Sequence, residues 1–590
     1  MKRSARRFRI LLSTYLGPFA KYAALLGVLL SAAIALRLVN PIILRSFIDL
    51  AASARPLTNL VRQGVLFLAV AVLLQVLSVF ENWMAANLGL LTTNRLRRDL
   101  TLHCLGLDMS FHKGHTPGEM IERVDGDVGN LANLFSRFLV EILGSVLLMG
   151  GVLVLMYTID WRVGLAFTVF CAGALAILAS MKNVAVPRYR KARQATAELF
   201  GFLEERLTGT EDVRANGAVP YVVRGFLEHS RPVWRTLSAS NVVGSTAAGV
   251  GWILFSIGSA LSLALGAVLF QADVITIGTV YLVFGYAGLL TQPIERLVRQ
   301  LTDLQQAGAS AIRILDLLEQ RPTILDVGTT PVPSATPLSV SFAKVSFAYK
   351  DDPSAEDPDS TNALTEISFD LPPGTVLGLL GRTGSGKTTL ARLLMRFYEP
   401  QQGRLCLGGV AVPDIPVAML RQRVALVTQD IQLFDASLRE NITLFDPSIP
   451  DERILGSFEQ LGLTDWLASL PEGLATRLAQ GGSRLSAGEA QLLAFARVFL
   501  RDPGLIVLDE ASSRLDPATE ARLDRGMHRL LQGRTAIIIA HRLGTVQRAD
   551  RILILEGGRQ VEYGERLPLA FDRCSHFAQL LQTGLEETLA

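Results

Sequence analysis

A chain of 590 residues is too long for one hydrophobic core and long enough for two or three domains. Charged residues make up 19%, below the roughly 25% of soluble proteins, and a mean hydropathy of +0.34 points to a chain that is at least half membrane protein. A net charge of +3 gives no reason to expect a nucleic-acid partner, and the excess of Lys and Arg fits cytoplasmic loops better. Cys104, Cys171, Cys406 and Cys574 lie far apart with no metal-ligand spacing, and a reducing compartment suits them.

Residues 1–20 read as a retained basic arm rather than a signal peptide, because the apolar stretch after it runs to about Ile43 without a small-residue cleavage site. A span needs about 20 apolar residues to cross about 30 Å of hydrocarbon. Six segments qualify, near 22–43, 64–88, 138–159, 162–182, 246–270 and 276–298. Asp160-Trp161-Arg162 makes a tight turn between the third and fourth, and a short loop at Gln271–Asp273 joins the fifth and sixth. The long polar segments 89–137 and 183–240 are basic, which puts them in the cytoplasm with both termini. Leu199, Phe202, Leu203 and Leu207 recur at helical spacing, so the spans are expected to continue into the cytoplasm as long helices.

Arg37, Gln75, Glu81, Asn82, Asn87 and Glu141 are polar residues in or near the spans. Such groups face a cavity or partner, or snorkel where they sit near span ends; Arg37 is the best candidate to touch a substrate.

The chain turns soluble after Ser310, and a Pro- and Thr-rich linker covers 319–337. Alternating strands and helices over 338–590 then indicate an α/β fold. Gly381-Arg382-Thr383-Gly384-Ser385-Gly386-Lys387-Thr388 is a P-loop between the strand Val376–Leu380 and a helix that opens near Thr389. Its glycines let backbone N–H groups turn toward phosphates, Lys387 reaches the outer phosphates, and Thr388 offers a hydroxyl to Mg²⁺. The apolar strand Leu505–Leu508 ends in Asp509-Glu510, two acids suited to holding hydrated Mg²⁺ and polarising a water. A second apolar strand ends at His541.

These motifs and the six spans resemble, over essentially the whole chain, a half-transporter of the ATP-binding cassette (ABC) superfamily with the exporter fold. The resemblance implies an all-α six-helix membrane domain over 21–318, followed by an α/β P-loop ATPase that uses ATP and Mg²⁺. It implies that Asp509 is the Mg²⁺-associated acid, Glu510 the catalytic carboxylate and His541 the switch histidine. Gln429, in Val427-Thr-Gln429, would contact Mg²⁺ and the reacting water, and Asp516 falls in the D-loop. Tyr349 falls where the family stacks an aromatic on adenine. Phe111–Ile121 and Asn216–Arg224 match the two coupling regions, and Asp351–Thr361 is expected to be a surface insert.

Leu485-Ser486-Ala487-Gly488-Glu489 is the counterpart of the signature Leu-Ser-Gly-Gly-Gln, which in this family caps the ATP held by the other cassette. Ser486 and Gly488 remain, Ala487 replaces a glycine, and Glu489 sets a carboxylate near a triphosphate unless it points elsewhere. The altered signature beside an intact Glu510 points to a heterodimer, with a homodimer as the alternative. The resemblance implies ATP-driven export of drugs, lipids or hydrophobic peptides across a bacterial cytoplasmic membrane. An importer of the same fold, or an ATP-gated regulator, are the rivals.

Overall fold

The structure, a computed structural model, describes residues 10–11, 13–333, 337–349, 362–429, 431–478, 485–509, 517–540 and 546–583. The chain forms two compact units, one of Met1–Gly106 with Thr116–Arg321 and one of Leu107–His115 with Pro322–Ala590.

The first unit is helical. Its long elements are α1 (Ala20–Ala52), α2 (Leu57–Leu105), α3 (Gly144–Ile159), α4 (Trp161–Thr208), α5 (Val219–Gln271) and α6 (Ile277–Glu319). Six helical segments, Ser13–Ala52, Leu57–Leu105, Val140–Ile159, Trp161–Thr208, Val219–Gln271 and Ile277–Leu297, are long and apolar enough to span a bilayer. A backbone in hydrocarbon must satisfy its own N–H and C=O groups, and a helix does so within one segment. With 53 residues, α5 is about 80 Å long at about 1.5 Å per residue, far more than a bilayer needs. The expected continuation of the spans as long helices is therefore present. Between α2 and α3 the chain stays helical, with wider π turns at Glu122–Asp127 and Leu134–Leu143.

Capping residues set the sharp reversals. Asp160 accepts a hydrogen bond from the Arg162 N–H at 2.7 Å and starts α4, which makes the expected tight turn. Thr276 caps α6, while the Asp49 carboxylate at the end of α1 accepts from the Gly278 N–H and the Thr276 hydroxyl, both at 2.9 Å. Phe167, Tyr286, Val152, Met156 and Leu290 form the buried centre of this unit.

Between the second and third spans, Asp127 is 1% exposed and accepts from Nε of Arg313, beyond the last span, at 2.9 Å and from its Nη2, a two-pronged pairing. Breaking a buried pair from one side strands the other charge. Arg313 itself is 51% exposed, so solvent screens its side of the pair, and we expect Arg313→Ala to destabilise this unit by about 1–3 kcal/mol, read as a fall in thermal midpoint that Arg313→Lys partly restores.

The second unit is built on one sheet. Its strands are β1 (Val340–Ala348), β2 (Asn362–Leu371), β3 (Val376–Leu380), β4 (Gln402–Leu407), β5 (Val410–Ala411) and β6 (Val424–Val427). There follow β7 (Ala436–Ser437), β8 (Arg477–Leu478), β9 (Leu505–Asp509), β10 (Thr535–Ile539), β11 (Arg551–Glu556) and β12 (Arg559–Glu565). The order is β5-β4-β1-β2-β12-β11-β3-β10-β9-β6, with β7 and β8 paired separately. β11, β3, β10, β9 and β6 run parallel, so their carboxyl ends share one edge. In such sheets ligands bind beyond the carboxyl ends of the strands.

Leu107–His115 clusters with this second unit. The Asp108 carboxylate accepts hydrogen bonds from the Thr323 N–H and, at 2.7 Å, from its hydroxyl. The stretch forms a short helix at Met109–Lys113, and a second follows at Pro117–Ile121. Asn216 and Gly217 form the turn between Thr210–Ala215 and α5.

Candidate nucleotide site

β3 is buried along its whole length and leads directly into Gly381. Gly381 has φ +147°, and a Cβ there would lie 2.2 Å from the Leu555 carbonyl oxygen. Gly386, at φ +101°, would set a Cβ 2.6 Å from the Ala363 oxygen. Only glycine fits either place. The loop between them exposes Arg382, Thr383 and Gly384, and α7 (Lys387–Leu394) begins immediately after it.

Lys387 is 6% exposed, and its ammonium donates to the carbonyls of Gly381 at 2.6 Å and Arg382 at 2.9 Å. Burial lowers its pKa, and Asp509 opposes that shift. Ser385 is buried with its Oγ unpartnered, a polar atom at the centre of the loop that lacks a hydrogen bond. Thr388 Oγ1 lies 3.4 Å from Asp509 Oδ2. These are two hard oxygen donors of the kind that Mg²⁺ takes.

The parallel register brings the remaining motifs to the same edge. Leu379 and Asp509 both align with Ile539, and Val427 aligns with Leu508. The P-loop follows β3, Asp509 closes β9, and Gln429 stands exposed two residues beyond β6. Glu510, Asp516 and His541, and the insert Asp351–Thr361, lie outside the described residues.

Tyr349 follows β1. Its hydroxyl lies 3.1 Å from Thr389 Oγ1 and accepts from Arg392 Nη1 at 3.1 Å, so α7 holds the ring in place. Phe347 and Tyr398 meet the ring edge-on, at 4.9 and 5.1 Å between centroids. Lys113 sits over it at 4.7 Å. The sequence reading puts Lys113 in a basic segment and in the first coupling region, Phe111–Ile121, but a separation of more than 200 positions carries no signal of this contact with Tyr349.

At the signature, Ser486 caps α8 (Ala487–Arg501), accepting from the Glu489 N–H. The Glu489 carboxylate returns the bond, accepting from the Ser486 N–H at 2.7 Å and hydroxyl at 2.9 Å. Its other oxygen accepts from the Trp466 indole N–H at 2.9 Å. Gly488 is buried in the first turn. Burial raises the Glu489 pKa, but the bonds from Ser486 and Trp466 outweigh it and hold the group below the usual carboxylate range. A depressed folded pKa means stability that is complete above the unfolded value and lost as pH falls through the folded one. Glu489→Ala should cost about 1 kcal/mol through the lost cap and change Trp466 fluorescence. That cost should vanish in acid.

In the first unit, Arg37, Glu81, Asn82 and Glu141 line one cavity of about 450 Å³. Glu81 is 4% exposed, so it does not snorkel to the surface. Gln75 is exposed and Asn87 half-buried, and neither lines that cavity. Arg296, Gln292 and Gln300 of α6 join it instead.

The family model for the ABC transporter transmembrane region matches residues 24–294, and the ABC transporter model matches 364–513. The chain is 30% identical over 569 residues to the ABC transporter ATP-binding protein YknV of Bacillus subtilis strain 168, covering 95% of this chain and 91% of that protein. It is 30% identical over 493 residues to the ATP-dependent lipid A-core flippase of Chromobacterium violaceum, covering 83% and 81%. Among solved structures, a bacterial Atm1-family ABC exporter with ATP bound matches with a TM-score of 0.79 at 22% identity, over 96% of this chain and 98% of that one. The class is thus an ATP-binding, multi-pass membrane ATPase coupled to transport. The chain belongs to the ABC transporter family and is a half-transporter with the six-span exporter fold.

Proposed function

We propose that two such chains together export hydrophobic or amphipathic compounds by alternating access, with both termini on the cytoplasmic side of a bacterial inner membrane. The observation that carries the ATP-driven part is the P-loop edge. A buried hydroxyl without a partner and a buried ammonium resting on loop carbonyls converge within one strand-loop-helix turn, and Asp509 at the end of β9 brings an oxygen to Thr388 of that turn. The relatives are bacterial, and one is by name a lipid flippase, which supports an amphiphile as cargo. The basic loops support the orientation.

Mg²⁺ held by Thr388, Asp509 and Gln429 would neutralise developing charge on the phosphates. Lys387 would leave its carbonyl partners for the outer phosphates, where a positive charge in a dry site is worth most. The loop N–H groups and the Ser385 hydroxyl would take phosphate oxygens. Glu510 would orient the attacking water, and His541 would touch the outermost phosphate. Tyr349 would stack on adenine, a contact worth about 1–3 kcal/mol. Tyr349→Ala should therefore weaken ATP binding by about one to two orders of magnitude in a fluorescent-nucleotide titration, while Tyr349→Phe stays near wild type.

One family member carries one cassette, and a working pair needs two. The heterodimer expectation rested on the altered signature, Ala487 and Glu489, beside an intact Glu510. The Glu489 carboxylate is held within its own chain, by its own cap and by Trp466, so its charge is fixed there rather than free to turn toward a bound phosphate, which supports closure on a second copy of this chain. ATP turnover by the chain purified alone in lipid nanodiscs tests this. Negligible turnover from a folded, ATP-binding preparation would return the account to a heterodimer.

A further inference from the structure

Largely apolar spans bring balanced charge to the cavity in the first unit. Arg37 comes from α1, Glu81 from α2, Glu141 from the π turn before α3 and Arg296 from α6. Ionisable groups at membrane depth are costly and face a partner or a cavity. Here two guanidinium groups stand with two carboxylates around an open volume of about 450 Å³, ample for a lipid or peptide headgroup.

The groups are only partly satisfied by one another. Both Arg37 and Arg296 attract Glu81, Gln300 donates its amide to Glu141, and Arg296 donates to the Gln292 side-chain oxygen at 3.3 Å. A guanidinium has five N–H donors and a carboxylate about four acceptor sites, so capacity of both signs is left facing the space. A neutral ligand would leave that capacity dry. A net-anionic ligand would suit the arginines and be repelled by the carboxylates, and a net-cationic one would meet the reverse.

We propose that this cavity is a headgroup site for a zwitterionic amphiphile. Its phosphate or carboxylate would lie on Arg37 and Arg296, and its ammonium on Glu81 and Glu141. Leu30 and Ile34, on the α1 wall of the same cavity, would take the start of the apolar part. This rests on the reading of the chain as a transporter of amphiphiles.

The test uses the full chain in nanodiscs of phosphatidylglycerol, supplied with phosphatidylethanolamine or with its N-acetylated form, which keeps the tail and phosphate but loses the cation. Bound lipid is counted by native mass spectrometry, and ATP turnover is followed separately. The wild type should retain phosphatidylethanolamine at about tenfold lower mole fraction, as expected when a buried charge pairing is completed. Glu81→Gln combined with Glu141→Gln should abolish that preference. Retention of leucyl-phenylalanine over its N-acetyl form would support the same site chemistry with a peptide as source. Equal retention of the two lipids by the wild type would overturn the proposal, and that comparison needs no variant. Preference without any turnover would sink the transporter reading and leave the site standing; turnover without preference would do the opposite.

Discussion

Lys387→Met should lower ATP turnover by about 10²–10³-fold, the cost of removing one preorganised charge from a developing oxyanion. The ammonium is almost wholly buried at the mouth of α7, where water cannot replace it. Methionine keeps the apolar stem, so the loop should still form, and the Gly381 and Arg382 carbonyls lose only a donor. Phosphate release together with nucleotide titration separates the effects, because binding should weaken as well as turnover. Turnover near the wild-type rate in a folded variant would remove Lys387 from the chemistry.

Glu510→Gln should cost about 10²-fold or more in turnover while ATP binding persists, since the amide keeps the shape but cannot take a proton. In sequence the residue directly follows Asp509, the last residue of β9, and Asp509 lies on the edge that carries the P-loop and Gln429. Loss of binding together with turnover would assign Glu510 to holding nucleotide instead. Unchanged turnover would mean another group orients the water.

The six spans were legible because hydrocarbon thickness demands one length of apolar helix, and among the described residues no other helix has it. The P-loop was equally plain, since Gly381 and Gly386 occupy places that no side chain could share. The reach of the helices beyond the bilayer was legible only in outline. Pro187 and Pro232 lie inside α4 and α5, where local rules favour a break that the helices do not take.

What could not be read was which distant residues meet. Arg37 and Arg296 share a cavity across more than 250 positions, and their residue types alone say nothing of it. Trp466 binds Glu489 through a single indole N–H, which no periodicity marks. The signature change looked like a charge aimed at phosphate; its geometry is a helix cap, and a Glu three positions after the N-cap Ser was the available signal. Leu107–His115 sits in the middle of one unit's sequence and packs with the other, which a linear division of the chain could not express.

The most direct test of the account is movement of a fluorescent zwitterionic lipid in proteoliposomes holding this chain alone, with Glu510→Gln as the control. The account predicts transfer between leaflets that needs Mg²⁺ and ATP and disappears in the variant. ATP hydrolysis at a steady rate with no transfer of any amphiphile supplied, or equal transfer by the Glu510→Gln protein, would contradict it.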